Sequence, residues 1–160
     1  MRSSFRVGPV AWLLFLAFAV PGCSNVTLYS NLPEPEINEL SKPYWEALNK
    51  GKLTFQHCRK CGNNWLPARG ECPKCLEADW AWHEASGDAK LISWVVYHRA
   101  FHPAFEGRTP YNVAVVELAE GPRMITNIVV DDAETLVIDQ KLTFVPAEEQ
   151  GHGIARFKPA

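Results

Sequence analysis

Four cysteines carry the clearest chemistry in this chain. Cys58-x-x-Cys61 and Cys72-x-x-Cys75 stand ten residues apart. In each pair a tight turn brings two thiolates to one ion. Four thiolates so arranged suit tetrahedral Zn²⁺, and iron takes the same set. Gly62 follows the first pair, where a positive φ aims backbone N–H groups at sulfur, and Pro73 stiffens the second. Two disulfides are the first competing reading and need an oxidising compartment. A thioredoxin-like redox pair is the second and needs a βαβ pattern, which this sequence lacks. A catalytic zinc is disfavoured, because four thiolates leave no position open for water. His57 adjoins Cys58 as a fifth ligand candidate, and a partly exposed strand residue is the plainer reading.

The remaining side chains give no catalytic set. There is no phosphate loop, GxGxxG, GxSxG or HExxH motif. His57, His83, His98, His102 and His152 sit in no motif with a serine or a free cysteine. Asp131-Asp132 fits a solvated turn better than a carboxylate pair. The run from His98 to Pro103 is the most polar-aromatic loop. Its plainer reading packs the Phe and exposes the His. No catalytic residue and no cofactor-binding residue beyond the four cysteines is assigned.

The elements that must hold the cysteines are short. Ile37, Leu40, Tyr44, Ala47 and Leu48 follow helical spacing, with Ser41 as a cap, Pro43 early and Gly51 as a stop. A strand over Leu53–Gln56 leads into the cysteines, and Trp80–Glu84 is extended. From Gly87 five strands are expected: Leu91–Ala100, Tyr111–Leu118, Arg123–Val130, Lys141–Pro146 and Gly153–Phe157. Turn signals separate them, and five strands in so short a stretch suit a small barrel. The boundaries expected are a leader or miscalled start over 1–32, a helix plus metal ribbon over 33–86, and a barrel over 87–160.

Composition narrows the function. The 160 residues are 47% hydrophobic and 21% charged, which is globular. Residues 1–33 hold two of the 16 basic residues (Arg2, Arg6) and none of the 18 acids, so the body carries net −4. An acidic body argues against sequence-independent nucleic-acid binding. The apolar run Val10–Val20 behind Arg2 and Arg6, followed by Pro21-Gly22-Cys23-Ser24, has the form of a signal peptide. It is too short to span a membrane. Cys23 also fits a lipoprotein cleavage site, whereas a start placed too far upstream would leave the run untranslated.

The run Pro43-Tyr44-Trp45, Gly51, Leu53, Gln56, Cys58-x-x-Cys61-Gly62, Pro67-Ala68-Arg69 and Cys72-Pro73-x-Cys75, with Gly87, His102-Pro103-Ala104-Phe105 and Pro110-Tyr111, resembles a known architecture. It is similar to the zinc-ribbon plus OB-fold proteins of bacterial and archaeal acyl-CoA metabolism, long labelled a domain of unknown function. The likeness covers about residues 33–160. It implies a mainly β fold: a short N-terminal helix, a rubredoxin-like zinc ribbon and a five-stranded OB-fold barrel. It further implies a non-catalytic accessory subunit in lipid metabolism, partnering a thiolase-like, aldolase or enoyl-CoA hydratase-like enzyme and scaffolding it or shaping its CoA site. Only the structural Zn²⁺ ligands Cys58, Cys61, Cys72 and Cys75 carry over. Such proteins lack a counterpart of residues 1–32. CoA thioesters and reduced thiolates both favour the cytoplasm, with export through Cys23 as the alternative.

An OB-fold nucleic-acid-binding module is the rival function, with Trp94, Tyr97, Phe101 and Tyr111 as stacking residues. The scattered positives Arg99, Arg108, Arg123 and Lys141 weigh against it. An iron-bearing redox carrier is a third. The contact surfaces expected for a partner are the ribbon around Trp65 and Pro67 and the loop from His98 to Pro110, with Arg99 and Arg108 as candidates to meet CoA phosphates. Tyr44 and Trp45 are expected in the core.

Overall fold

A computed structural model describes residues 32–160. The expectations for Cys23 and for the leader, apart from Leu32, lie outside the described residues. The single α-helix among those residues, α1 (Lys42–Leu48), opens behind Ser41 with proline in its first turn. Ser41 makes no side-chain cap bond to the helix. Asn38 shapes the entry instead, its Oδ1 accepting from the Leu40 and Ser41 N–H groups at 3.1 and 2.9 Å. Ile37, expected on the helix, lies before it and is largely exposed.

Strands β1 (Thr54–Cys58), β2 (Asn64–Trp65) and β3 (Trp80–Glu84) form an antiparallel sheet in the order β2-β1-β3. This is the ribbon. A second sheet follows, made of β4 (Asp88–Tyr97), β5 (Tyr111–Leu118), β6 (Arg123–Thr126), β7 (Lys141–Glu149) and β8 (His152–Pro159). Its order is β6-β5-β4-β7-β8, antiparallel throughout. The sheet curls until the chain beyond β6 meets β8 in parallel at Ile128 and Phe157. There the Val129 N–H donates to the Phe157 carbonyl at 2.7 Å. The fold is therefore mainly β, with one short helix, a cysteine-bearing ribbon and a five-stranded curled sheet of OB type.

Alternation along the strands builds the core. Leu91, Val116, Leu118, Leu142 and Phe157 are almost wholly buried inside the curl, and Leu48 and Leu53 join the same cluster. Tyr44 and Trp45 pack against it, as expected. Cys58, Trp65 and Cys72 form a second, smaller core in the ribbon.

Three hydrogen bonds join the parts. The Asn64 amide nitrogen donates to the Glu120 carbonyl at 2.8 Å, and the Glu120 carboxylate accepts from the Ser86 N–H at 2.7 Å. At the helix end, Asn49 Oδ1 accepts from the Gly153 N–H at 2.6 Å. A Cβ at Gly153 would stand 2.5 Å from the Leu48 carbonyl carbon and oxygen, so only glycine lets α1 lie this close to β8. No helix among the described residues is long and apolar enough to cross a membrane.

Candidate metal centre

The two Cys-x-x-Cys segments fold as two copies of one turn. The Cys58 carbonyl accepts from Gly62 N–H at 3.0 Å, while Cys58 N–H donates to the Asn63 carbonyl at 2.9 Å. The second copy repeats both bonds, from Leu76 N–H to Cys72 and from Cys72 N–H to Glu77, each at 2.9 Å. The fifth residue of each turn must adopt a left-handed conformation. Gly62 does so at φ 71° and Leu76 at φ 58°.

The turns face each other and bring the four sulfurs within 4.8 Å of one another. Cys58–Cys75 and Cys61–Cys72 Sγ separations are both 3.6 Å, far beyond a bonded pair at about 2.05 Å. All four cysteines are free. A tetrahedron with Zn–S bonds of about 2.3 Å has S···S edges of about 3.8 Å, so the spacing fits a four-coordinate zinc. Donors already point at one sulfur: Lys74 N–H lies 3.4 Å and Asn63 Nδ2 3.8 Å from Cys72 Sγ.

The electrostatics ask for a cation. At Cys72, burial opposes ionisation. The Cys75 and Lys74 N–H groups and the neighbouring thiols outweigh it and bring the group down to about 6. At Cys75, the Glu77 N–H favours the thiolate, yet the Cys61, Cys58 and Cys72 sulfurs and burial overrule it and push the thiol up to about 12. Four sulfurs this close cannot all ionise on their own, and a dication relieves the conflict. Arg59–Asp79 and Lys60–Glu77 pairs, both at 2.9 Å, stitch the turns together at the surface. The Glu77 hydrogen bond, more than any other contact, raises the Lys60 pKa.

Gln56 supports the ribbon, and no spacing rule singles it out for that task. It is fully buried, its Nε2 donating to the Arg69 carbonyl at 3.0 Å and its Oε1 accepting from Arg69 N–H at 2.7 Å. Asn64 plays a similar part. One end holds the Glu120 carbonyl, which fixes its Oδ1 as acceptor for His57 Nδ1 at 2.6 Å. His57 stacks on His83 at 4.8 Å and does not join the four-cysteine cluster.

The other expected positions are scattered. Asp131 and Asp132 are exposed, and Asp132 caps the 3₁₀ turn Ala133–Thr135. In the 98–110 loop, His102 accepts from the Ala104 N–H at 3.1 Å and Phe101 is 77% exposed. Tyr97 stacks on Tyr111 at 5.2 Å, and Phe105 packs beside Tyr111. Arg108 pairs with Glu149, which also takes Arg156. Trp65 is a correction. Expected on a contact surface, it is 4% exposed and fills the small core behind Cys58 and Cys72. Its strand pairs at Gln56, so its face belongs to the interior. Pro67 beside it is exposed.

Known proteins share this layout. Residues 45–81 match the family described as the ChsH2 rubredoxin-like zinc ribbon domain, and residues 82–145 match the ChsH2 C-terminal OB-fold domain. A probable enoyl-CoA hydratase alpha subunit of Thermomonospora curvata is 41% identical over 97 residues, which is 61% of this chain and 30% of that protein. A DUF35 domain-containing scaffold protein of Methanocaldococcus jannaschii is 34% identical over 55% of this chain and 62% of its own length. The chain thus spans less than two thirds of both of those relatives. A scaffold protein of the same description from Methanothermobacter thermautotrophicus is 32% identical over 67% of this chain and 86% of its own length. Among solved structures, a chain of the Ltp2-ChsH2(DUF35) aldolase superposes with a TM-score of 0.71 at 34% identity, covering 79% of this chain and 98% of that one. The ribbon with its paired cysteine turns, the curled sheet and these likenesses agree: the chain belongs to the DUF35 family, with the rubredoxin-like zinc ribbon and C-terminal OB-fold domain of ChsH2.

Proposed function

We propose that this chain is a non-catalytic, zinc-binding accessory subunit of an acyl-CoA-processing enzyme of thiolase, aldolase or hydratase type. The observation that carries this reading is the likeness over 98% of a chain of the Ltp2-ChsH2(DUF35) aldolase. Cys58, Cys61, Cys72 and Cys75 hold Zn²⁺ in a closed site, where the metal organises the ribbon and offers no position for substrate water. The domain division proposed is a ribbon unit over 33–86 and a barrel over 87–160. Compartment follows chemistry: reduced zinc thiolates and CoA thioesters place the working protein in the cytoplasm. The charge pattern supports a protein partner over nucleic acid. Lys52, Arg59, Lys60, Lys90, Arg108, Arg123 and Arg156 all pair with Glu or Asp side chains, so they form no bare cationic groove.

Capture from the native host tests the reading. The tagged chain should retain a thiolase-, aldolase- or hydratase-type enzyme whose acyl-CoA turnover depends on it, while the isolated chain turns over none. Capture of nucleic acid without such an enzyme, or robust turnover by the chain alone, would overturn the assignment.

A further inference from the structure

One edge of the barrel sheet has no neighbour among the described residues. On one side β4 runs beside β5 from Ala89 to Tyr97. On its other side β7 accompanies it only from Asp88 to Lys90. Leu91 closes that side with two backbone bonds, its N–H donating to the Gln140 carbonyl and its carbonyl accepting from Asp139 N–H, both at 2.9 Å. A bulge between Leu91 and Ser93 follows, and over residues 93–97 no described residue hydrogen-bonds the open side. Monomeric sheets blunt such an edge with lysine, proline or an inward charge. Ser93-Trp94-Val95-Val96-Tyr97 has none of these, and Val95 is 52% exposed in mid-strand. Uncharged β-branched and aromatic residues on an open edge are a template for one more strand.

We propose that the added strand is β4 of a second copy of this chain, antiparallel across a two-fold axis at Val95. The register follows from the ends of the edge. Asp139 and Gln140 stop the pairing at Leu91, and β4 ends at Tyr97. Paired residues share a face, so a self-pairing strand sets odd positions against odd and even against even. Centring on Val95 is then the one choice that uses all of residues 93–97. It places Val95 against Val95, Trp94 against Val96 and Ser93 against Tyr97, with no like charges opposed. Complementary charge lies at the ends. Beyond Tyr97, the exposed Arg99 of each copy leaves the strand beside the exposed Asp139 of the other. Neither side chain has an ion-pair partner among the described residues. The same register carries the exposed Phe101 of one copy toward the exposed Val137 and Ile138 of the other. Pairing rests on this edge and its flanks alone and holds whether or not an acyl-CoA enzyme is captured.

Sedimentation equilibrium of the zinc-loaded full chain reads the association. The unaltered chain should show a monomer–dimer equilibrium, with amide exchange over residues 93–97 slowing as the dimer fills. Val95→Lys and Val95→Glu, at an exposed position, should each be monomeric with zinc content intact, because like charges then meet on the axis. Mixing the two variants should restore a dimer, a result that lost folding cannot mimic. Arg99→Asp should weaken the dimer about tenfold, since the two-fold axis turns two pairs into repulsions, and adding Asp139→Arg should recover it. A chain monomeric at every concentration, a dimer that Val95→Lys leaves unchanged, or a Lys–Glu mixture that stays monomeric overturns the proposal. Exchange over residues 93–97 that slows only with a captured enzyme overturns it too, and assigns the edge to that enzyme.

Discussion

The two metal turns differ at one residue. Gly62 takes its positive φ freely, whereas Leu76 takes nearly the same angle with a side chain that is 73% exposed. A left-handed L-residue costs about 1–2 kcal/mol, partly offset by the chain entropy that glycine adds to the unfolded state. Leu76→Gly should therefore raise stability by up to about 1 kcal/mol, and Gly62→Ala should lower it by about 1 kcal/mol, read by denaturant unfolding of the zinc-loaded protein. Changing any of Cys58, Cys61, Cys72 or Cys75 to Ser should strip zinc and loosen the ribbon, because about 10–16 kcal/mol of metal binding is also folding energy. Metal analysis with circular dichroism checks this, and full zinc retention would exclude that residue as a ligand. Glu117 gives a pH prediction. The Lys90 hydrogen bond first, and Arg123 next, hold its pKa below the usual range. That stability is present above the unfolded value of about 4.3 and is lost as pH falls through the lower folded value. Glu117→Gln should flatten the acid limb of the stability profile. The cysteines were legible because their spacing is local. Gln56 was not, because its partner Arg69 lies 13 positions on and no pattern announces it.

Strand limits show where local signals end. The expected strand Lys141–Pro146 runs on to Glu149, because beyond Thr143 β7 leaves β4 and keeps only β8 beside it. A proline is tolerated at such an open edge. The expected strand Arg123–Val130 stops at Thr126, because side chains take over the ladder. Asn112 bonds both the carbonyl and the N–H of Ile128, at 2.8 and 2.7 Å, and Asn127 bonds the Asn112 carbonyl. Alternation foretold the strands, but neither the shift of partners nor the asparagine exchange has a sequence period. The close pass of α1 over β8 yields an element-scale prediction. Gly153→Ala should cost about 1–3 kcal/mol, since the added carbon meets backbone that cannot yield cheaply. Thermal unfolding reads this, and a neutral result would mean that α1 is free to shift.

Across the whole molecule, order along the chain was more legible than contact between its parts. The succession of helix, cysteine turns and strands followed from spacing and turn residues, and likeness to a family gave it a name. The Asn64–Glu120–Ser86 joint was hidden, and so was the cleft between Tyr44 and Trp45 of α1, Leu66 and Ala68 of the ribbon, and Met124 and Ile125 of β6, because each joins residues from distant stretches. One prediction belongs at this scale. Removing zinc with a chelator should shift the Met124 methyl resonance, although Met124 lies outside the ribbon, because Leu66 and Ala68 form the facing wall. An unmoved resonance would mean that the wall keeps its place without metal. The three-sided build of the cleft has a consequence for the life of the protein. No single stretch of chain contains it, so it exists only once helix, ribbon and barrel have come together. A binder that touched all three sides would therefore distinguish finished molecules from incomplete ones.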